Sequence, residues 1–240
     1  MKKIQIIFLT LAAVMAFPIL TKAQNIQIHR DFGHLLYDEQ DTRQHWTSTV
    51  EMFRPDRFGS TFFFIDMDYA DNKVRSAYWE VSRNIRLGQK SPWLAHVEYN
   101  GGTANAFSLP SAWLAGAMYE YNNKDFSAGW SLTASYKYLE SGAKRHSAQL
   151  TGTWYSNFDN GRFTFSGFLD IWGDCAKAAN SKRYLVFLSE PQFWINLNAF
   201  KGIPDDFNLS VGGEVELSYN FPYENKKFFA LPTMAIKWSF

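Results

Sequence analysis

The sequence predicts an all-β chain: a single antiparallel transmembrane β-barrel of about twelve strands, following a cleaved signal peptide. Three observations predict it. Segments of about ten residues alternate between apolar and polar side chains, the period of a strand whose two faces meet different surroundings. Aromatic residues make up 18% of the chain, yet mean hydropathy lies below zero. A barrel with an apolar outside, a polar inside and aromatic girdles reconciles those two values. The chain also ends, at residues 228–240, on a run that places Met234, Ile236, Trp238 and Phe240 on one parity and Thr233, Ala235, Lys237 and Ser239 on the other. Terminal residues fray unless tied down, so a strand that stays apolar to its last residue must pair with something.

Residues 1–23 read as an export signal. Lys2 and Lys3 open it, an apolar run occupies 4–20, and Thr21-Lys22-Ala23 provides a small-residue exit, with cleavage expected after Ala23. An uncleaved anchor is the alternative, disfavoured by Pro18 and the polar residues behind it. Residues 24–240 then form one barrel domain, since no linker or shift in composition divides them. The net charge of +1 excludes nucleic acid as a partner bound through counterion release. Cys175 is the sole cysteine, so no internal disulfide framework exists.

The first strand is expected over 25–36, with Ile26 and Ile28 opposite Gln27 and His29. The segment 44–53 sets Trp46, Val50 and Met52 against Thr47, Thr49 and Glu51, and Arg54-Pro55-Asp56-Arg57 turns the chain. On the return, Phe63, Ile65, Met67 and Tyr69 oppose Phe62, Phe64, Asp66 and Asp68. Residues 74–87 set Trp79, Val81 and Ile85 against Tyr78, Glu80, Ser82 and Asn84; 93–100 set Trp93, Val97 and Tyr99 against His96 and Glu98. In 110–121 Trp113, Tyr119 and Tyr121 share a face, although Leu114 and Met118 blur the contrast. Residues 125–139 alternate without a break from Phe126 to Tyr138, with Lys137 on the polar face. Two further segments, around Leu150 and Leu169, flank the turn Asp159-Asn160-Gly161 and carry Arg145 and Asp170 on their polar sides. A loop is expected over 173–182. Pro191 interrupts 183–197, where a bulge or a change of parity is expected. The alternation of 207–219 places Glu214 and Glu216 on the polar side.

An even strand count lets both termini lie on the periplasmic side, and no connection exceeds about a dozen residues, too short for a plug domain. A charged side chain on the lipid face near the midplane costs about 2 to 4 kcal/mol, so the polar parity must face inward. The expected lumen residues are Glu51, Phe62, Phe64, Asp66, Asp68, Tyr78, Glu80, His96, Glu98, Lys137, Arg145, Asp170, Glu214 and Glu216. Most of these carboxylates are expected to pair with Lys137, Arg145 and Lys237 and stiffen the barrel. The others, with Phe62, Phe64, Tyr78 and Phe168, would form a constriction where a planar solute stacks and hydrogen-bonds.

A lipid-hydrolysing site would need a serine and a histidine together on the lipid side. His146 and Ser147 are adjacent, which a strand points to opposite faces, and no His-x-Ser occurs. His96 and Glu98 share a face, but one pair on one strand is a weak metal signal. The chain is therefore read as a non-enzyme that needs no cofactor.

The terminal pattern, with a polar Thr233, a small Ala235, Trp238 and the final Phe240, resembles the assembly signal of bacterial outer-membrane barrels, although Ala235 stands where glycine is commoner. The run Ser48-Thr49-Val50-Glu51-Met52-Phe53, the turn to Phe58, Phe63-Phe64-Ile65-Asp66 and Tyr78-Trp79-Glu80 resemble the opening strands of Tsx-like nucleoside-specific outer-membrane channels. A Bacteroidetes-type branch placed near them is more similar still. The resemblance is strongest over about residues 25–100. It implies a monomeric twelve-stranded channel in the outer membrane of a Gram-negative bacterium, in contact with outer-membrane lipid and the barrel-assembly machinery, with Glu51, Asp66 and Glu80 in its lumen. Three functions follow as expectations: a passive channel for small polar solutes such as nucleosides, a lipid-acting barrel enzyme, or a closed structural or surface-interaction barrel.

Overall fold

The computed structural model describes residues 24–105, 107–142, 144–175 and 182–240. The expected signal peptide, 1–23, lies outside the described residues. The strands are β1 (Gln24–Asp31), β2 (Trp46–Asp56), β3 (Gly59–Ala70), β4 (Lys73–Arg86), β5 (Trp93–Ala104), β6 (Phe107–Asn122), β7 (Ala128–Leu139), β8 (His146–Phe158), β9 (Phe163–Cys175), β10 (Arg183–Ser189), β11 (Gln192–Asn196), β12 (Leu209–Tyr219) and β13 (Phe228–Ser239). Each pairs antiparallel with its neighbours, and β13 pairs with both β12 and β1. The sheet is therefore closed. Asn25 faces Ser239 across the seam, and the Phe240 N–H donates to the Gln24 carbonyl at 2.9 Å. Closure leaves no unpaired edge, which is what allows a sheet to stand in hydrocarbon.

β10 and β11 follow one another along a single position between β9 and β12, so the wall has twelve staves. Pro191 causes the break, because it has no N–H to donate. Ser189 pairs with Leu169 and Leu217, and Gln192 with Ser166 and Glu214. The same number of residues separates these partners on all three strands. The parity expected to change at Pro191 is therefore kept, and Glu190, Gln192 and Trp194 all belong to the inner face. The neighbouring strand accommodates the kink through Gly167, where a Cβ would stand 2.5 Å from the Glu190 carbonyl oxygen.

Alternation sorts the side chains as expected along nearly every stave. Ile26 and Ile28 are exposed, whereas Gln27 and His29 are buried. Aromatics line the outside near both ends. Toward the short turns, Trp93 packs edge-on to Tyr119, Tyr119 stacks with Trp130, and Phe207 meets Trp238. Toward the longer loops stand Trp46, Phe187 and Phe228. These are the girdles of a transmembrane barrel. Outward charges sit at the rims: Arg83 holds Asp56 beside the first hairpin turn at 2.7 and 3.0 Å, and Arg30 lies over Trp46.

Several boundaries differ from the sequence reading. β1 ends at Asp31, since the chain turns into a 3-10 segment at Gly33–Leu35, and β6 begins at Phe107. β9 runs on to Cys175, which is buried at the strand end instead of lying in a loop. The connection 32–45 is longer than any expected, and it does not stand clear of the barrel. It packs on the start of β13, with the Tyr37 ring edge-on to Phe229 and the Phe32 N–H on the Pro232 carbonyl.

Candidate functional site: the lumen

The inner faces of β2, β3 and β4 carry a polar lane. Thr49 Oγ1 donates to Asp66 at 2.5 Å, Thr47 Oγ1 and Ser76 Oγ donate to Asp68 at 2.7 and 2.8 Å, and Asn25 Nδ2 donates to Glu51 at 3.0 Å. Tyr78 Oη and Asn100 Nδ2 both donate to Glu80 Oε1, at 2.7 and 3.1 Å. Register explains these contacts: Thr49 faces Asp66, Thr47 faces Asp68, and Asp66 faces Tyr78 directly across the ladder. Alongside runs an aromatic shelf, with Phe62–Phe64 and Phe64–Tyr78 centroids 5.9 and 6.1 Å apart.

On the inner faces of β7, β8 and β9, Asp170 accepts from Thr151 Oγ1 at 2.5 Å and Gln149 Nε2 at 3.1 Å. Lys137 donates to Gln149 Oε1 at 2.6 Å and lies 4.4 Å above the Trp172 ring. His96 Nδ1 is 2.7 Å from Asn84 Oδ1, and its Nε2 is 3.2 Å from Glu98 Oε2. Asn84 spends its amide N–H on Ser60, so its oxygen must accept from His96. Both ring nitrogens then face acceptors.

Of the residues expected to line the lumen, His96, Lys137 and Glu216 are buried, and most of the others are half-buried on the inner face. Arg145 is the exception and requires a correction. It precedes β8 in the loop from 140 to 145, is exposed, and its guanidinium reaches the hydroxyl of outward-facing Tyr138 at 3.3 Å. Outside the ladder, strand parity no longer governs where a side chain points.

The expected neutralisation of lumen carboxylates also needs correcting. Among the described residues neither Lys137 nor Lys237 forms an ion pair: each lies over a tryptophan, Lys237 4.0 Å above Trp194. Glu51, Asp66, Asp68, Glu80 and Asp170 are held by neutral donors. No group of three or more His, Cys, Asp or Glu suited to a metal occurs among the described residues.

Several inner residues escaped the sequence reading, Trp194, Glu190 and Arg43 among them. Trp194 is fully buried, donating from Nε1 to Gln192 Oε1 and packed edge-on to His29. Continuing the parity of Val186 and Leu188 through Pro191 would have found both Trp194 and Glu190. Arg43 carried no such signal, because it arrives from a loop. It donates to Asp31 at 2.7 Å and to Glu216 at 2.6 Å, tying the 32–45 connection to β1 and β12, the two strands that flank β13. Burial alone would disfavour the cation; Glu216 and Asp31 outweigh it and hold Arg43 above its usual pKa. At the outer end of the same connection Glu39 pairs with Lys227, whose ammonium holds the Glu39 carboxyl below the usual range.

Arg43→Ala is expected to free this connection. Removing one partner of a buried pair costs about 3 to 5 kcal/mol; the 29% exposure of Arg43 puts the expected loss nearer about 2 to 3 kcal/mol. Limited proteolysis should then cut within 32–45. An unchanged digest would show that the ion pair does not hold the connection in place.

Comparison with solved structures gives the fold a wider setting. The KdgM porin superposes with a TM-score of 0.52 at 10% identity, covering 91% of this chain and 99% of that one. NanC porin gives 0.53 at 10% identity, with the same coverage of both chains. A second KdgM structure, in complex with disordered oligogalacturonate, gives 0.52 at 11% identity and again the same coverage. At such identities the likeness concerns the fold. No curated protein matches the sequence. One family profile matches residues 23–240. With the whole barrel inside that match, the chain belongs to the family described as Domain of unknown function (DUF5020).

Proposed function

We propose that this barrel is a passive channel in the outer membrane of a Gram-negative bacterium, admitting small polar solutes that are neutral or positively charged. The observation that carries this reading is that Glu51, Asp66, Asp68, Glu80 and Asp170 are held by hydroxyl and amide donors and form no ion pair among the described residues. A closed structural barrel would be expected to neutralise such charges internally, because an unpaired charge in a filled interior is costly. Such a lumen would oppose entry of a polyanion of the kind named with the KdgM porin. Nucleosides are the solutes we favour. The Phe62–Phe64–Tyr78 shelf offers faces for a base to stack on, and Asp66 and Glu80 offer acceptors for ribose hydroxyls. The resemblance of the opening strands to Tsx-like channels points the same way.

The test is entry of radiolabelled uridine into liposomes carrying the refolded barrel, beside glucose and an uncharged amino-acid amide. Faster uridine entry, reduced about tenfold or more by Asp66→Asn with Glu80→Gln, is expected. Equal entry of all three would leave a general pore and remove the nucleoside reading. No entry through a barrel shown by heat-modifiable gel mobility to be folded would overturn the channel.

A further inference from the structure

The outer surface of β7 to β10 is apolar, with Tyr136, Leu150 and Leu185 exposed. A trough of about 580 Å³ opens there onto the lipid side, floored by Ala134, Ala148 and Gly173 and walled by Tyr136, Leu150 and Leu185. Each small residue on this face stands opposite a large one across the ladder, so its own place is left open between the flanking side chains: Ala134 pairs with Leu150, Ala148 with Tyr136, and Gly173 with Leu185. Leu185 is 57% exposed. Its upper end is basic. Lys144, Arg145, Lys182 and Arg183 are all exposed there, and none forms an ion pair among the described residues.

These cations belong to the outer surface. Arg145 reaches Tyr138 on that surface, and Arg183 donates to the backbone carbonyl of His146. His146 Nδ1 in turn stands 2.5 Å from Tyr136 Oη at the top of the trough. The acids nearest in sequence are already engaged: Glu140 accepts from Trp113 Nε1 at 3.1 Å, and Asp174 from the Cys175 N–H at 2.6 Å.

An acyl-sized apolar trough beneath a cluster of uncompensated arginines and lysines matches an amphiphile with a phosphorylated head. We infer that this face binds a phosphoglycolipid of the outer leaflet, with acyl chain in the trough and phosphates on Arg145 and Arg183. Arginine suits the role because its planar fork matches phosphate oxygens in pairs. The inference is independent of which solute the lumen passes. It rests on the outer-membrane location proposed above and on the loops after β7 and β9 facing outward from the cell.

The test uses the whole barrel in detergent, titrated with diphosphoryl lipid A, phosphatidylglycerol and phosphatidylcholine, with adducts counted by native mass spectrometry. Lipid A is expected to bind tightest and phosphatidylcholine weakest. Arg145→Gln with Arg183→Gln should weaken lipid A at least tenfold, about what one lost charge-assisted contact removes. Ala148→Phe, which keeps the lipid face apolar while filling the trough, should weaken lipid A with the basic rim intact. Equal binding of lipid A and phosphatidylglycerol would make this a general anionic-lipid surface and overturn the assignment. Unchanged lipid A binding in both variants would overturn it as well. A failure of the membrane reading itself would show differently, as a chain that gives no heat-modifiable barrel in any lipid.

Discussion

Glu51→Gln with Asp68→Asn is expected to lower the cation preference of the proposed channel by about an order of magnitude, read as zero-current potential across a tenfold potassium chloride gradient. The wild-type barrel should pass potassium over chloride. Both side chains stand on the inner face, Glu51 held by Asn25 Nδ2 and Asp68 by Thr47 and Ser76. Glu51→Gln keeps an oxygen for Asn25, and Asp68→Asn keeps one for Thr47 or Ser76 while its amide N–H can donate to the other hydroxyl, so the substitution removes charge with little change in shape. The effect is expected to be large because low-dielectric walls focus the field of a fixed charge along a narrow aqueous path. Lys137→Gln should act in the opposite direction, and Arg83→Gln, on the outer surface, should leave the potential unchanged. An anion-selective wild-type channel would sink the argument from uncompensated carboxylates, whichever solutes pass.

Gly212→Ala should abolish assembly, whereas Gly152→Ala should be nearly silent. At Gly212 in β12 a Cβ would stand 1.9 Å from the Phe193 carbonyl oxygen and 3.0 Å from the Trp194 Cα. Both are backbone atoms of β11 and cannot rotate away. Overpacking a core costs about 1 to 3 kcal/mol when side chains can yield; here the strand pair itself would have to separate, close to where Trp194 enters the interior. At Gly152 the nearest atom to an added Cβ is 4.0 Å away, and the position faces lipid between Leu132 and Leu169. Gel mobility of unheated, refolded samples separates the two: a compact band for Gly152→Ala, and only the unfolded band for Gly212→Ala. A compact band from both would mean that the close approach of β11 and β12 is not needed for closure.

What could be read in advance follows from how each residue is held. Seven alternations in a row between Phe126 and Tyr138 leave only a strand with one wet and one lipid face, and the structure puts Trp130, Leu132 and Tyr136 outside with Thr133, Ser135 and Lys137 buried inside. The closing strand was equally legible, because an apolar run reaching Phe240 has to pair, and it pairs with β1. Pro191 obscured its neighbourhood. It removes one donor without adding a residue, and a rule that associates proline with bulges could not tell an interruption from a shift of register.

The chain sequence by itself determined the barrel, its strand number and the inward direction of its carboxylates, because strand parity and the cost of charge in hydrocarbon are local consequences of residue order. Only the tertiary structure decided which inner groups meet. Lys137 could have reached a carboxylate but lies on Trp172, and Arg145 left the ladder and joined the outer surface. Arg43 crossed from a loop to join Asp31 and Glu216, residues far from each other in the chain. Such contacts depend on closure, which brings the first and last strands together, and on loop paths that no periodicity governs.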